Sequence, residues 1–458
     1  MRGLHAREVL GKWVWWLFPV FATASVFWSL NLVRGILTVG VMWALFVAVL
    51  VVYNLRERLD AGFWRAWWRW FFGAGLVACA WCVVQCIMDA LGVGREVTQM
   101  CAGCVSASFG FPRPNGWAIE PQFMGNLLIA PAIAALYMWS TGPAGPCPPP
   151  RRLRSAGVPL QVRRPSTILI IGLIYVATIF LTMSRGAIYA LVVGLIFLTV
   201  FEVVRVGNRL VQGRRVVVMW LMVVAAFVGT LCFQGALAEM SPMKGGFFEA
   251  PAKVVHRLSL GLIDLRGKGA ESETAETEMT GVTETEMTES GPEKSTALES
   301  VGDRGDEVMF DGYVAESTNT RVRLAGAALA VWRRDFMTAG FGVGLGGAGQ
   351  ALFDAGLSPA PKEIVQNEYA SILLETGVVG AVLFAVLVGL VVVTAVRKSR
   401  FPGLVLAVVV AYGVSVCFFS GLPNALHIVL WVGMMMVAGM FRVGGDVRGT
   451  YTHHSGDG

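Results

Sequence analysis

Charge is scarce in this 458-residue chain: only 15% of its residues are Asp, Glu, Lys or Arg, against about a quarter in a soluble protein. That scarcity excludes a soluble enzyme, a disordered chain, and a nucleic-acid binder working through surface charge. Histidine is scarcer still, with 5 copies, and no cluster of His, Cys, Asp or Glu has metal-ligand spacing. Cys101 and Cys104 form one CxxC; without a second ligand pair it does not read as zinc, and a disulfide and a free pair both stay open. The other cysteines that matter, Cys79, Cys82, Cys86, Cys232 and Cys417, lie in apolar runs as small buried residues. No Lys-Ser/Thr follows the glycine-rich stretch at 340–349, so there is no Walker loop. What the chain has instead is apolar sequence: 55% of its residues, with a mean hydropathy of +0.62.

The apolar residues fall in long runs, the mark of an integral membrane protein. Backbone polar groups in lipid must be satisfied internally, so a crossing takes about 20 apolar residues as a helix. Ten segments qualify, at roughly 13–30, 36–53, 70–88, 122–139, 167–183, 187–204, 216–233, 367–395, 403–419 and 424–441. The expected fold is all-α and polytopic, with about ten transmembrane helices. Its expected divisions are 1–110, N-terminal membrane helices; 111–233, further membrane helices; 234–366, a large extracytoplasmic loop; 367–441, C-terminal membrane helices; and 442–458, a cytoplasmic tail.

Lys and Arg set the expected orientation. With both termini cytoplasmic, the inner segments hold 21 basic residues and the short outer loops hold 4: Arg34, Arg95, Arg113 and Arg185. The formal charge of +6 is then mostly an inner-face excess suited to anionic lipid headgroups. The stretch 62–70, GFWRAWWRW, reads as an interfacial anchor on that face. The chain is expected in the cytoplasmic membrane, with membrane lipids and no nucleic acid as partners.

Two connecting segments are low in complexity. Residues 140–166 are Pro- and Arg-rich and read as a semi-rigid inner linker. Within 234–366, which carries 20 acidic and 12 basic residues, the pentapeptide ETEMT occurs at 276–280 and again at 284–288. Such Thr/Glu sequence buries too little apolar surface to fold, so about 265–315 reads as a disordered acidic insertion. After it, Arg321 to Met337 has Leu324, Ala327, Ala328 and Val331 at helical spacing, an amphipathic helix expected near the outer membrane surface. The glycine-rich run that follows is a weak candidate for backbone N–H contact with phosphate.

Four polar islands interrupt the apolar pattern on the expected outer side. They are Arg113-Pro-Asn-Gly116 with Glu120-Pro121; Thr182-Met-Ser184-Arg185-Gly186, between two spans with almost no loop; Arg321-Val-Arg323; and Gln366-Asn367, followed by nine residues and then Gly377-Val-Val-Gly380, with Glu375 inside the span. An arginine at such a depth is costly without an anionic partner, although snorkelling to headgroups offers a plainer account. Several converging guanidinium groups suit bidentate recognition of phosphate or diphosphate.

These residues resemble the O-antigen ligase and O-antigen polymerase superfamily. The resemblance rests on four features: S-R-G before a span, R-x-x-G…E-P before another, the Arg-led amphipathic segment ending in G-x-G-x-G, and the element H-[NSQ]-x9-G-x-x-G. It covers about 110–440 and implies a C-type glycosyltransferase architecture. Such enzymes move a glycan from an undecaprenyl-pyrophosphate carrier to a glycan, lipid-core or other hydroxyl acceptor, without cofactor or metal. By that resemblance Arg185 and Arg321 hold the donor diphosphate, with Arg323 the alternative to Arg321. Arg113, Glu120, Asn367 and Glu375 bind substrate, and Gln366 takes the catalytic position.

One departure follows from Gln366: the family has histidine there, and a carboxamide cannot take a proton. Glu368, Glu375, His256 and His427 are the candidate substitutes. The competing readings are a transporter or channel, against which no inverted repeat is visible, and an inactive relative that keeps the fold.

Overall fold

The computed structural model describes residues 13–55, 61–100, 112–141, 165–206, 210–240, 247–259, 320–398 and 402–418. The expected acidic insertion, most of the Pro-rich linker, Cys101 and Cys104, His427 and the tenth apolar segment lie outside the described residues. Among the described residues the chain is all-helical, as expected. The helices are α1 Val14–Ser25, α2 Leu32–Leu55, α3 Ala61–Ala90, α4 Arg95–Thr98, α5 Pro121–Thr141, α6 Pro165–Leu181, α7 Arg185–Val206, α8 Leu210–Met240 and α9 Glu249–Leu258. They continue with α10 at 320–332, then α11 Phe336–Phe341, α12 Ala348–Asp354, α13 Glu368–Lys398 and α14 Pro402–Ser415.

Five stretches are long and apolar enough to cross a membrane: Ala66–Ala90, Pro121–Ser140, Arg185–Val204, Gly213–Met240 and Glu368–Leu390. Four shorter apolar stretches, Val14–Trp28, Leu32–Ala44, Ser166–Leu181 and Pro402–Ser415, lie on four more of the expected segments.

The core forms around α5. Leu128, Ile129, Ala130, Ala132, Ile133, Ala134, Ala135 and Leu136 are all fully buried, so this helix is enclosed on every side. Its four alanines let neighbours come close, which is how helices associate where no hydrophobic gradient drives them together. Glycines do the same on the partners. A Cβ at Gly172 of α6 would come 3.0 Å from Leu136, and one at Gly194 of α7 would come 2.8 Å from Ala411 of α14. By contrast α8 leaves Val217, Leu221, Val224 and Val228 exposed, an apolar surface suited to lipid.

A second cluster joins Leu324, Ala327, Ala328 and Val331 of α10 to Ala348, Ala351 and Leu352 of α12 and to Ala370 and Leu374 of α13. These four α10 residues are the ones whose spacing marks the helix in the sequence. Their apolar face is buried against α12 and α13. The single helix expected over 321–337 is also divided. Asp335 is extended (φ −151°, ψ 163°) and caps α11 by accepting from the Thr338 N–H, so the chain turns at 333–335.

The glycine-rich run is an interlock between distant parts of the chain. Gly342, Gly344 and Gly346 all have positive φ. A Cβ at Gly344 would lie 2.3 Å from Ser29 Cα, in the turn between α1 and α2, and one at Gly342 would lie 2.4 Å from the Glu375 backbone. The turn answers with Ser29 Oγ donating to the Leu345 carbonyl at 2.9 Å and Leu30 N–H donating to the Val343 carbonyl at 3.3 Å.

The eighth expected apolar segment is also interrupted. Inside α13, Gly377 is non-helical (φ 61°, ψ −172°), and a Cβ there would sit 2.3 Å from the Gly340 carbonyl oxygen. Gly377 therefore breaks the helix nine residues in, where the glycine loop inserts.

Candidate functional site

One end of the bundle gathers the N-termini of α5, α7 and α13 with the C-termini of α6 and α14. Helix N-termini leave N–H groups unsatisfied and carry partial positive charge, so three of them together favour an anion. The connecting turn from α6 to α7 is three residues long, Thr182 to Ser184, with Met183 left-handed at φ 51°. That conformation costs a non-glycine residue about 1–2 kcal/mol, and here it places Arg185 at the first position of α7. Arg185 is buried, 4% exposed.

Arg113 comes from the segment leading into α5. It is 7% exposed, and its Nε–H donates to the Thr182 carbonyl at 3.3 Å. Two buried arginines thus meet at the same turn. The 112–120 segment is held from beneath by Gln85 of α3, fully buried. Gln85 Oε1 accepts from Gly116 N–H at 2.8 Å. Its Nε2 donates to Gly116 O at 3.0 Å, to Thr98 O at 2.9 Å and to Asn115 Oδ1 at 3.3 Å. Glu120, by contrast, is exposed, and its carbonyl accepts from Phe123 N–H at 3.1 Å in the first turn of α5.

Residues 415–418, after α14, tie the cluster together. Phe418 lies against Gly186, where a Cβ would come 2.8 Å from Phe418 Cβ; this explains the glycine after Arg185. The Phe418 carbonyl accepts from Gln122 Nε2 at 3.1 Å. The Cys417 carbonyl accepts from Asn367 Nδ2 at 3.1 Å, and the Val416 carbonyl accepts from Glu368 N–H at 3.0 Å. Ser415 Oγ donates to Asn126 Oδ1 at 2.6 Å.

On the far side of this turn, Arg321 Nε–H donates to Gln366 Oε1 at 2.8 Å. Gln366 is the second strained residue of the site, left-handed at φ 54°. Asn367 caps α13, its Oδ1 accepting from Ala370 N–H at 3.0 Å. Glu368 follows, 2% exposed.

The structure therefore brings together Arg113, Arg185, Gln366, Asn367 and, through Gln366, Arg321. It separates Arg323, which is exposed on α10, and Glu375. The Glu375 carboxylate accepts from the Ala348 N–H at 3.4 Å and also from Gly346, so it belongs to the glycine interlock. The glycine run turns its N–H groups to the protein's own acceptors, the Glu375 carboxylate among them. The N–H groups of Gly342, Val343 and Gly347 bond backbone carbonyls, that of Leu345 bonds Ser25 Oγ, and that of Ala348 bonds Glu375.

Among the described residues no group of three or more His, Cys, Asp or Glu is placed to hold a metal. His256 is half-buried on α9. That helix covers Met183 through Val254 and accepts a hydrogen bond from Tyr189 Oη at its Leu258 carbonyl.

The sequence reading missed Gln85, Gln122, Asn126 and the 415–418 turn. The first three had a signal, a carboxamide inside an apolar run, where polar groups are costly and hence purposeful. Phe418 had none.

No curated protein and no solved structure matches the chain. A family model described as O-antigen ligase matches residues 170–385, a segment that contains Arg185, Arg321, Gln366, Asn367 and Glu375. Its borders take in the Thr182–Gly186 turn, the α10 helix and the kinked start of α13, three of the elements that build this end of the bundle. Over residues 170–385 the chain is similar to the O-antigen ligase family.

Proposed function

We propose that the protein is a membrane glycosyltransferase that moves a glycan from an undecaprenyl-pyrophosphate carrier to a hydroxyl acceptor at the outer face of the cytoplasmic membrane. The observation that carries this reading is the pair of buried arginines, Arg113 and Arg185, meeting at Thr182, with the Arg321–Gln366 bond beside them. Guanidinium groups gathered at the end of an apolar bundle suit bidentate recognition of phosphate. They are matched by a diphosphate whose lipid tail lies between helices and whose headgroup sits at the helix ends.

The chemistry needs such a site. As the bond from the sugar to the diphosphate breaks, negative charge grows on the leaving oxygen. Donors already oriented toward that charge give the largest single catalytic contribution in many enzymes. The bond from Arg321 to Gln366 fixes the plane of one guanidinium, and the Thr182 bond fixes another. Strain at Met183 and Gln366 is consistent with a site that surrounding structure holds in place.

Alanine at Arg185 or Arg321 is expected to abolish surface-glycan assembly in cells while protein levels hold; unchanged assembly in both variants would contradict the reading. The glycan profile of a deletion strain separates the two acceptor classes. Single capped units indicate a polymerase, and long chains left on the lipid carrier indicate a ligase.

A further inference from the structure

We infer that Glu368 takes the proton from the acceptor hydroxyl, while Gln366 serves as a hydrogen-bond donor to the substrate and not as the base. The inference rests on the glycosyl-transfer reading above.

The first step concerns Gln366. A guanidinium is a donor on every nitrogen and has no acceptor. The Arg321 Nε–H lies 2.8 Å from Gln366 Oε1, so the oxygen of the carboxamide must face Arg321. What the side chain can offer a ligand is then its Nε2–H₂ pair. Gln366 thus adds two donors to the arginines, and its carboxamide cannot take the proton of an incoming hydroxyl.

The second step is where a carboxylate stands close to this pair. Glu375 is engaged with Ala348 and Gly346 in the glycine interlock. Glu120 is exposed on the segment leading into α5. Glu368 is buried at 2% exposure and lies two residues after Gln366. Its backbone N–H is pinned to Val416 O at 3.0 Å, on the same turn whose Phe418 packs on Gly186. Glu368 therefore opens α13 next in sequence to the Arg321–Gln366 pair and is anchored by its backbone to the turn that reaches Gly186.

The step balances without a further reagent. The acceptor oxygen forms a bond to the anomeric carbon, and the bond from that carbon to the diphosphate oxygen breaks. The bonding pair leaves on the diphosphate, held by the arginines and the Gln366 N–H₂. The hydroxyl proton passes to the Glu368 carboxylate.

The test uses full-length protein in proteoliposomes, with lipid-linked glycan extracted from a strain lacking the gene, and reads release of undecaprenyl diphosphate. Glu368→Gln is expected to lower kcat by about 100-fold or more, the scale of a lost general base, with KM little changed. Glu368→Asp keeps a measurable part of the rate, and the double variant Glu368→Gln/Gln366→His regains activity, since an imidazole beside the same site accepts the proton. A purely structural role for Glu368 would not be rescued from position 366. The assignment is overturned if Glu368→Gln keeps the wild-type rate, if the double variant stays as low as the single one, or if His256→Gln is the variant that loses kcat. No release by the wild-type protein would instead count against the glycosyl-transfer reading itself.

Discussion

At the scale of single residues, buried carboxamides position the charged groups. Gln85 makes four hydrogen bonds to the 98–116 region, and Arg113 lies three residues from Gly116. Gln85→Leu keeps the volume but leaves the Gly116 N–H and carbonyl without partners. Each buried unsatisfied group costs about 1–3 kcal/mol, so the variant is expected to unfold several degrees earlier in detergent and to lose activity. Gln85→Glu, which retains the acceptor for Gly116 N–H, should fall between. Equal melting of the Gln85→Leu variant and the wild-type protein would remove Gln85 from the account. The charged half of this arrangement was legible in the sequence, because Arg113, Arg185 and Arg321 stand out against apolar surroundings. The choice between Arg321 and Arg323 was not legible: it depends on which side of α10 faces Gln366, and two residues separate them by more than half a turn.

At the scale of elements, glycine spacing has a steric cause. Gly377 combines φ 61° with a Gly340 carbonyl 2.3 Å from where a Cβ would be. Gly377→Ala therefore faces a left-handed cost of about 1–2 kcal/mol as well as an overpacking cost of about 1–3 kcal/mol. It is expected to loosen the kink in α13, seen as faster hydrogen exchange over 340–346 and 368–380; wild-type exchange rates there would refute this. The motif G-x-x-G was legible as a string, but its reason was not, since Gly340 is far from Gly377 in sequence and reaches it only through the fold.

The α10–α11 turn gives a pH-dependent case at the same scale. Hydrogen bonds from the Thr338 N–H and hydroxyl hold the Asp335 carboxyl below its ordinary value of 3.8. A depressed folded value means the cap contributes fully above the ordinary value and is lost as pH falls through the lower folded one. Exchange over 336–341 should therefore rise only in strongly acidic solution, whereas Asp335→Ala should show the fast exchange already at pH 7. Fast exchange at pH 5 in the wild-type protein would contradict the cap.

At the scale of the whole molecule, the apolar pattern carried the all-α architecture and the positions of nine apolar helices among the described residues, because lipid permits little else. It did not carry their order around α5, since helices of uniform hydrophobicity give no sequence sign of which neighbour they face; alanine and glycine placement decides that through close packing. Nor did it disclose that the first turn, Ser29 to Asn31, is locked to residues 343–346, so that the N-terminal hairpin braces the element bearing Gln366 and Glu368. The central claim is that this braced end holds a lipid-linked diphosphate and releases it as the glycan is transferred. The most direct measurement is undecaprenyl diphosphate release from extracted lipid-linked glycan in proteoliposomes, comparing wild-type protein with Arg185→Ala. The account predicts release by the wild type and a loss of at least about 100-fold in the variant, since oriented donors to the leaving group are worth that much. Equal release by the two proteins, or none by the wild type, would contradict it.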